Sequence, residues 1–316
     1  MSADVERSAH LPVLPRETMA ALTVRADGNY IDATFGRGGH AALILAALSE
    51  QGRLLVIDRD PVAIETAMQR FGDDSRVLVE HGVFSDVALT AAQHGMDGHV
   101  HGILFDFGVS SPQLDDPERG FSFRTDGPLD MRMDPTRGDS AADYLATVAE
   151  RDLARALATL GEERHARRIA RAIAAERERV PLTRTGQLAE LIRNTVPSRP
   201  NERIDPATRS FQAIRIVVNR ELAEIDAALA AAVPLLAAGG RMAAISFHSL
   251  EDRRVKRFIR NASEVAEPYR GLPDIPPAYR PTLRPIGKLI RAAESEVDEN
   301  PRARSARLRV AERMAA

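Results

Sequence analysis

Residues 30–40 read YIDATFGRGGH, and residues 54–60 read LLVIDRD. The first stretch is a short apolar strand that runs into a turn with glycine at 36, 38 and 39. The second is an apolar strand that ends in Asp58, 20 residues beyond Gly38. Glycines at a strand-to-helix turn let backbone approach a ligand, because no Cβ intrudes. An acid ending the next strand is placed to accept hydrogen bonds from ribose hydroxyls. Together they predict a nucleoside-cofactor site on a doubly wound sheet.

Outward from that site, strand-like runs alternate with helical patterns. Tyr30–Phe35, Arg53–Asp58, Val77–Glu80 and Gly102–Phe107 are short and apolar, and helices are expected at His40–Ser49 and Pro61–Phe71. That alternation argues a parallel sheet with right-handed crossovers. The next clear strand is Arg241–Phe247, with 133 residues intervening after Phe107, and a crossover needs only a few tens. A helical domain is therefore expected between them. Its helices are predicted at 150–160, opened by a Thr147-x-x-Glu150 capping box, at Glu162–Arg179 and at Thr185–Thr195. The segments are 1–116 and 209–316 for the sheet domain and 117–208 for the insertion, expected to recognise substrate. Phe211–Ala238 reads as one helix or as two interrupted at Pro234, followed by a Gly239-Gly240 turn. Closing strands at Pro285–Ala292 and Arg304–Glu312 complete seven.

Composition narrows the chemistry. The 316 residues are 44% hydrophobic and 28% charged and include no cysteine, which excludes disulfides, thiolate metal sites and cysteine nucleophiles. No metal site is predicted. No apolar run reaches the 18 or so residues of a membrane span, so no membrane is expected and the cytoplasm is. The net charge of −2 hides a gradient: residues 253–313 hold 15 Arg or Lys against 8 Asp or Glu. Such a surplus suits a polyanion or a dispersed solvated surface.

The turn itself discriminates between cofactors. A dinucleotide wants G-x-G-x-x-G and a helix N-terminus free for pyrophosphate; here the spacing is G-R-G-G-H. Asp32 before the turn repels a pyrophosphate and welcomes a cationic ligand, which favours S-adenosylmethionine over a dinucleotide. His40 opens the first helix, either flanking the donor or solvated. Phe84, past the third strand, packs on adenine or in the core. Asp106, ending the fourth strand, suits an adenine edge or a substrate amine.

Seven stretches resemble the RsmH (MraW) family: His10–Pro15 (HLPVLP), Asp32–His40 (DATFGRGGH), Asp58–Pro61 (DRDP), Asp106–Asp134 (DFGVSSPQLDDPERGFSFRTDGPLDMRMD), Thr208–Asn219 (TRSFQAIRIVVN), Ile245–Arg253 (ISFHSLEDR) and Asn300–Glu312 (NPRARSARLRVAE). They span nearly the whole chain. The resemblance implies an α/β fold, a doubly wound seven-stranded Rossmann-like methyltransferase sheet with an inserted all-helical domain. It implies S-adenosylmethionine-dependent methylation of the N4 amine of cytidine 1402 in 16S ribosomal RNA within the small subunit. Carried over residue by residue, it places the donor on Gly38, Gly39, His40, Asp58, Phe84, Asp106 and Gln113, with Gly36 shaping the turn.

For that reaction Asp106 is the candidate acceptor and orienter of the N4 amine. Phe107 either stacks on a flipped cytosine or faces the core. Ser110, Ser111, His248 and Ser249 are candidate orienting groups or turn-formers. Arg124, Arg132, Arg253, Arg254, Arg257, Arg302, Arg304 and Arg307 are candidate RNA contacts. The opposing reading is a non-catalytic assembly or RNA-binding factor of the small subunit that retains a donor pocket. Monomer and homodimer are both compatible with the sequence.

Overall fold

The computed structural model describes residues 12–197, 205–265 and 267–315; His10 and Leu11 of the first motif lie outside them. The strands are β1 (Asn29–Asp32), β2 (Arg53–Asp58), β3 (Val77–His81), β4 (Val100–Asp106), β5 (Leu236–Ser246), β6 (Leu283–Ile290) and β7 (Arg307–Arg313). They form one sheet in the order β3-β2-β1-β4-β5-β7-β6. β1 pairs in parallel with β2 and β4, β4 with β5, and β7 runs antiparallel between β5 and β6. The order reverses between β1 and β4, so the ligand crevice of this architecture opens at their carboxyl ends. Central strands read as continuous apolar runs because helices cover both faces: Leu54, Leu55, Val56 and Ile57 are all fully buried.

The chain divides into two compact units: one holds the residues up to Gly108 and from Leu222 onward, the other Val109–Glu221. The first unit holds every strand and helices α1 (Pro15–Leu22), α2 (Gly39–Ala47), α3 (Pro61–Phe71) and α4 (Val87–Gln93). The second holds α5 (Ser111–Asp115), α6 (Ala141–Thr147), α7 (Glu150–Leu160), α8 (Ala166–Arg177), α9 (Thr185–Thr195) and α10 (Ala207–Val218). Then come α11 (Glu221–Leu235), α12 (Ser249–Ser263) and α13 (Glu294–Glu299). Each unit has its own core. Leu14, Leu22, Ile44, Leu104 and Leu308 belong to the first; Leu145, Leu157, Ile169, Ile173, Leu188 and Ile214 to the second.

Four local expectations are corrected. The helical unit is wider than 117–208, because α10 packs on α6, α7 and α9 and belongs with them. Thr147 does not cap α7: its hydroxyl donates to the Asp143 carbonyl within α6, and α7 begins after Ala149 without a side-chain cap. The helix break falls at Asn219-Arg220, where Arg220 takes φ +53°, and Pro234 sits inside α11. Gly239-Gly240 is a bulge and not a turn. Val100 faces Leu236 and Gly102 faces Arg241, so β5 carries extra residues between two pairings, with Gly239 at φ +80°.

Candidate active site

The acids of β1, β2 and β4 define the edge of the sheet unit. Beyond β1, the Thr34 N–H donates to Asp32 at 3.2 Å, and the Thr34 hydroxyl accepts the Asp106 N–H at 2.6 Å. The glycine turn follows. Gly36 (φ +56°) donates its N–H to Asp58 Oδ2 at 2.7 Å, and the Asp60 N–H donates to Asp58 Oδ1 at 2.9 Å. Asp58 thus ties its own turn to the glycine turn. A carboxylate offers about four lone-pair sites, so two remain for ribose hydroxyls. Asp60 in turn caps α3, accepting the Val62 N–H at 3.0 Å. The DRDP spacing encodes that cap, which sequence reading passed over.

Gly38 and Gly39 are held without spare room. Gly38 is left-handed at φ +72°, and a Cβ there would lie 2.5 Å from the Phe35 ring. A Cβ on Gly39 would meet Pro12 at 3.0 Å. No side chain caps the α2 N-terminus that starts here. His40 is 6% exposed, and burial pushes its pKa down to about 4 against the opposing pull of the Val13 backbone. It enters the site as a neutral ring.

Burial pushes all three acids up: Asp58 to about 6, Asp32 to about 7 and Asp106 to about 8. Mutual repulsion adds to this, Asp58 acting on Asp32, and Asp32 with Glu251 on Asp106. Asp106 Oδ1 is wholly covered and has no hydrogen bond. Buried like charges without a counter-ion hold protons. The same constellation fits a cation, which restores the carboxylates. Glycines that admit backbone, an acid with spare acceptors, and an orphaned buried carboxylate together fit a cationic nucleoside such as S-adenosylmethionine.

The aromatics divide. Phe107 is 1% exposed and lies 5.4 Å from Phe105 and 5.5 Å from Phe84, ring to ring, so it is core wall and offers no face to a base. Phe84 is half-buried at the edge of that trio.

After β5, Glu251 Oε2 accepts the N–H groups of Phe247 and His248 at 2.8 and 3.2 Å and closes the start of α12. His248 Nε2 stands 3.0 Å from Glu251 Oε1, and Ser249 is the first residue of the helix, half-buried. Arg307 and Arg309 both bind Asp252, at 3.2 and 2.7 Å, so Arg307 works for the fold. Arg254 pairs with Asp226. Arg253, Arg257, Arg302 and Arg304 are exposed.

In the helical unit, the long motif 109–134 is mostly internal wiring. Gln113 is 5% exposed and accepts the Ser110 N–H at 2.9 Å, forming a capping box that starts α5 at Ser111. Arg132 is clamped by Asp130 through paired contacts of 2.8 and 2.7 Å and donates to the Gly138 carbonyl, so it is not poised for phosphate. Arg124 is exposed. Asp126 holds Arg184 and the Gly186 N–H, while a Cβ on Gly127 would fall 1.9 Å from the Pro117 carbonyl oxygen. Asn219 accepts the Met133 N–H at 2.8 Å and donates to the Met131 carbonyl at 2.7 Å. These roles of Asp126, Gly127 and Asn219 had no signal in periodicity.

Residues 7–314 match the sequence model of the MraW methylase family. The ribosomal RNA small subunit methyltransferase H of Thioalkalivibrio sulfidiphilus is 56% identical over 308 residues, covering 97% of this chain and 98% of that one. The protein of the same name from Xylella fastidiosa is 54% identical over 309 residues, 96% of this chain and 97% of that one. That from Shewanella woodyi is 52% identical over 308 residues, 97% and 98%. Among solved structures, an rRNA methylase from Streptococcus thermophilus aligns over 95% of this chain and 97% of its own at 11% identity, with a TM-score of 0.38.

Proposed function

The chain belongs to the MraW methylase family, and from that premise we propose that it methylates 16S ribosomal RNA of the small subunit. S-adenosylmethionine is the donor and the exocyclic N4 amine of cytidine 1402 the acceptor. When bound, the donor supplies an electrophilic sulfonium methyl. The observation that carries the reading is the row of three acids on adjacent strand ends, Asp32 buried and Asp58 and Asp106 half-buried, culminating in a covered Asp106 oxygen without a partner. A row of that kind selects a cation.

Each residue then has a task. Gly36 and Gly38 take the left-handed backbone that the turn needs, and Gly38 and Gly39 leave no room for a Cβ beside Phe35 and Pro12. The turn so formed offers its backbone to the nucleoside while Asp58 receives the ribose. His40, Phe84 and Gln113 complete the donor set that the family supplies. The N4 lone pair of cytosine is delocalised into the ring, so the amine is a weak nucleophile. An ionised Asp106 accepts a hydrogen bond from N4–H, which localises that lone pair and aims it. Burial and the neighbouring acids push the Asp106 pKa up to about 8; a neighbouring cation lowers that value and frees the carboxylate to accept at neutral pH. Afterwards the proton leaves to Asp106 or to water.

The test is methyl transfer from radiolabelled S-adenosylmethionine to small subunits lacking endogenous modification, followed by nucleoside analysis. Label in N4-methylcytidine at the decoding region is the expected result. No label, with tight donor binding measured separately, would sink the rRNA assignment and leave a methylase of another amine.

A further inference from the structure

The helical unit carries a groove of about 970 Å³ along α7 and the start of α8. Six arginines line it: Arg151 and Arg155 from α7, Arg164 from the turn before α8, and Arg167, Arg168 and Arg171 from α8 or its first turns. All six are exposed. The acids in the lining are Glu150 and Glu163. Glu163 is buried and accepts the His165 N–H at 2.8 Å, and Glu150 is 3.9 Å from Arg171. Asp152 engages Arg155 at 3.1 Å and Arg151 at 3.9 Å. Among the described residues, Arg164, Arg167 and Arg168 have no acidic partner.

The sequence builds this row by spacing. Positions 167, 168 and 171 fall on one face of α8, with Arg164 in the turn just before it, while Ala166, Ile169, Ala170 and Ile173 bury the opposite face. Like charges three and four apart oppose one another on a helix, so helix stability does not account for the row. Arg177 on the same helix shows what a structural arginine does here: it donates to the carbonyls of Leu145 and Val148, each at 2.7 Å. The groove arginines make no such bonds.

We propose that this groove binds the phosphate backbone of structured RNA, as an anchor that reads charge and shape and not sequence. Guanidinium forks match phosphate oxygens in pairs, and duplex RNA is held mainly through its backbone. The inference rests on the RNA-substrate reading above and names the surface that carries it.

The experiment uses the full chain, its R164Q/R167Q/R168Q variant and the charge-keeping R164K/R167K/R168K variant. Binding is measured over a range of salt, to small ribosomal subunits and to a fluorescein-labelled RNA duplex of about 20 base pairs. The Gln variant should bind both about 10- to 100-fold more weakly at low salt, with a salt slope smaller by about 2. The Lys variant should keep most of the affinity. S-adenosylmethionine binding and kcat at saturating subunits should hold while KM rises. Unchanged affinity and slope in the Gln variant would overturn the groove alone, wild-type methylation standing. Weaker subunit binding with duplex binding intact would overturn it in favour of a protein contact. A wild-type chain that binds neither probe would remove the RNA substrate and the groove together.

Discussion

The sheet unit and the helical unit handle charge in opposite ways. At the carboxyl edge of the sheet, buried Asp32 repels half-buried Asp106 and is itself repelled by half-buried Asp58, and one Asp106 oxygen has no partner at all. In the helical unit several motif charges are paired, as Arg132 with Asp130 and Arg184 with Asp126, while Arg164, Arg167 and Arg168 stand out in solvent at the start of α8 without an acidic partner among the described residues. An exposed charge costs little and attracts from a distance; a buried one is costly until its ligand arrives. The first arrangement suits a small cation held tightly. The second suits a long polyanion held loosely.

The comparison is broken most forcefully at Asp106. Asp106→Asn keeps the shape and removes the charge, and should lower kcat for subunit methylation by about 100-fold or more. Near-normal turnover would mean the acid row serves only the donor. Next is Asp58→Ala, which orphans the Gly36 and Asp60 N–H groups and the ribose contact together. Calorimetric titration with S-adenosylmethionine should show binding weaker by about 2–4 kcal/mol. Asn219→Ala strikes the wiring of the helical unit instead and should cost about 1–3 kcal/mol in chemical denaturation, through two buried backbone groups left unmade.

A pH series sharpens the contrast further. The three acids hold protons in the ligand-free fold at pH values where the unfolded chain has released them. Their contribution is therefore full below about pH 4 and is lost as pH rises through 6, 7 and 8. Without the donor, the melting temperature should fall between about pH 5 and 8.5 from this source, and Asp106→Asn should flatten the fall. A melting point that rises over that range would contradict the burial of the acids. The smallest effect is expected from Arg132→Gln: less than about 1 kcal/mol in stability, because its ion pair is partly exposed, and RNA binding within twofold of wild type.

Much of this was legible because spacing carries it. All seven strands, the insertion after β4 and the acid 20 residues beyond Gly38 follow from apolar periods and from the distance between a turn and a strand end. What escaped depends on contacts between residues far apart in sequence. Gly127 is glycine because Pro117 occupies the place of its side chain, and Asn219 is asparagine because it bonds Met131 and Met133. Sequence leaves Phe107 between a stacking face and the core, and the contacts with Phe84 and Phe105 decide for the core. The break at Arg220 went unseen because Pro234 is the stronger local signal, although a helix tolerates it there. The arginine row on α8 was visible as letters, but its isolation from acids was not.

One consequence concerns the design of donor analogues. Each oxygen of Asp58 is already fixed by a backbone N–H, one from either turn, so the carboxylate cannot swing to meet a misplaced or missing hydroxyl. Tolerance toward altered sugars should therefore be narrow, and a bulky or anionic group at the ribose 2′ position should be refused. An inhibitor built on this scaffold would gain its selectivity by keeping the sugar intact and varying the nucleobase or the amino-acid end.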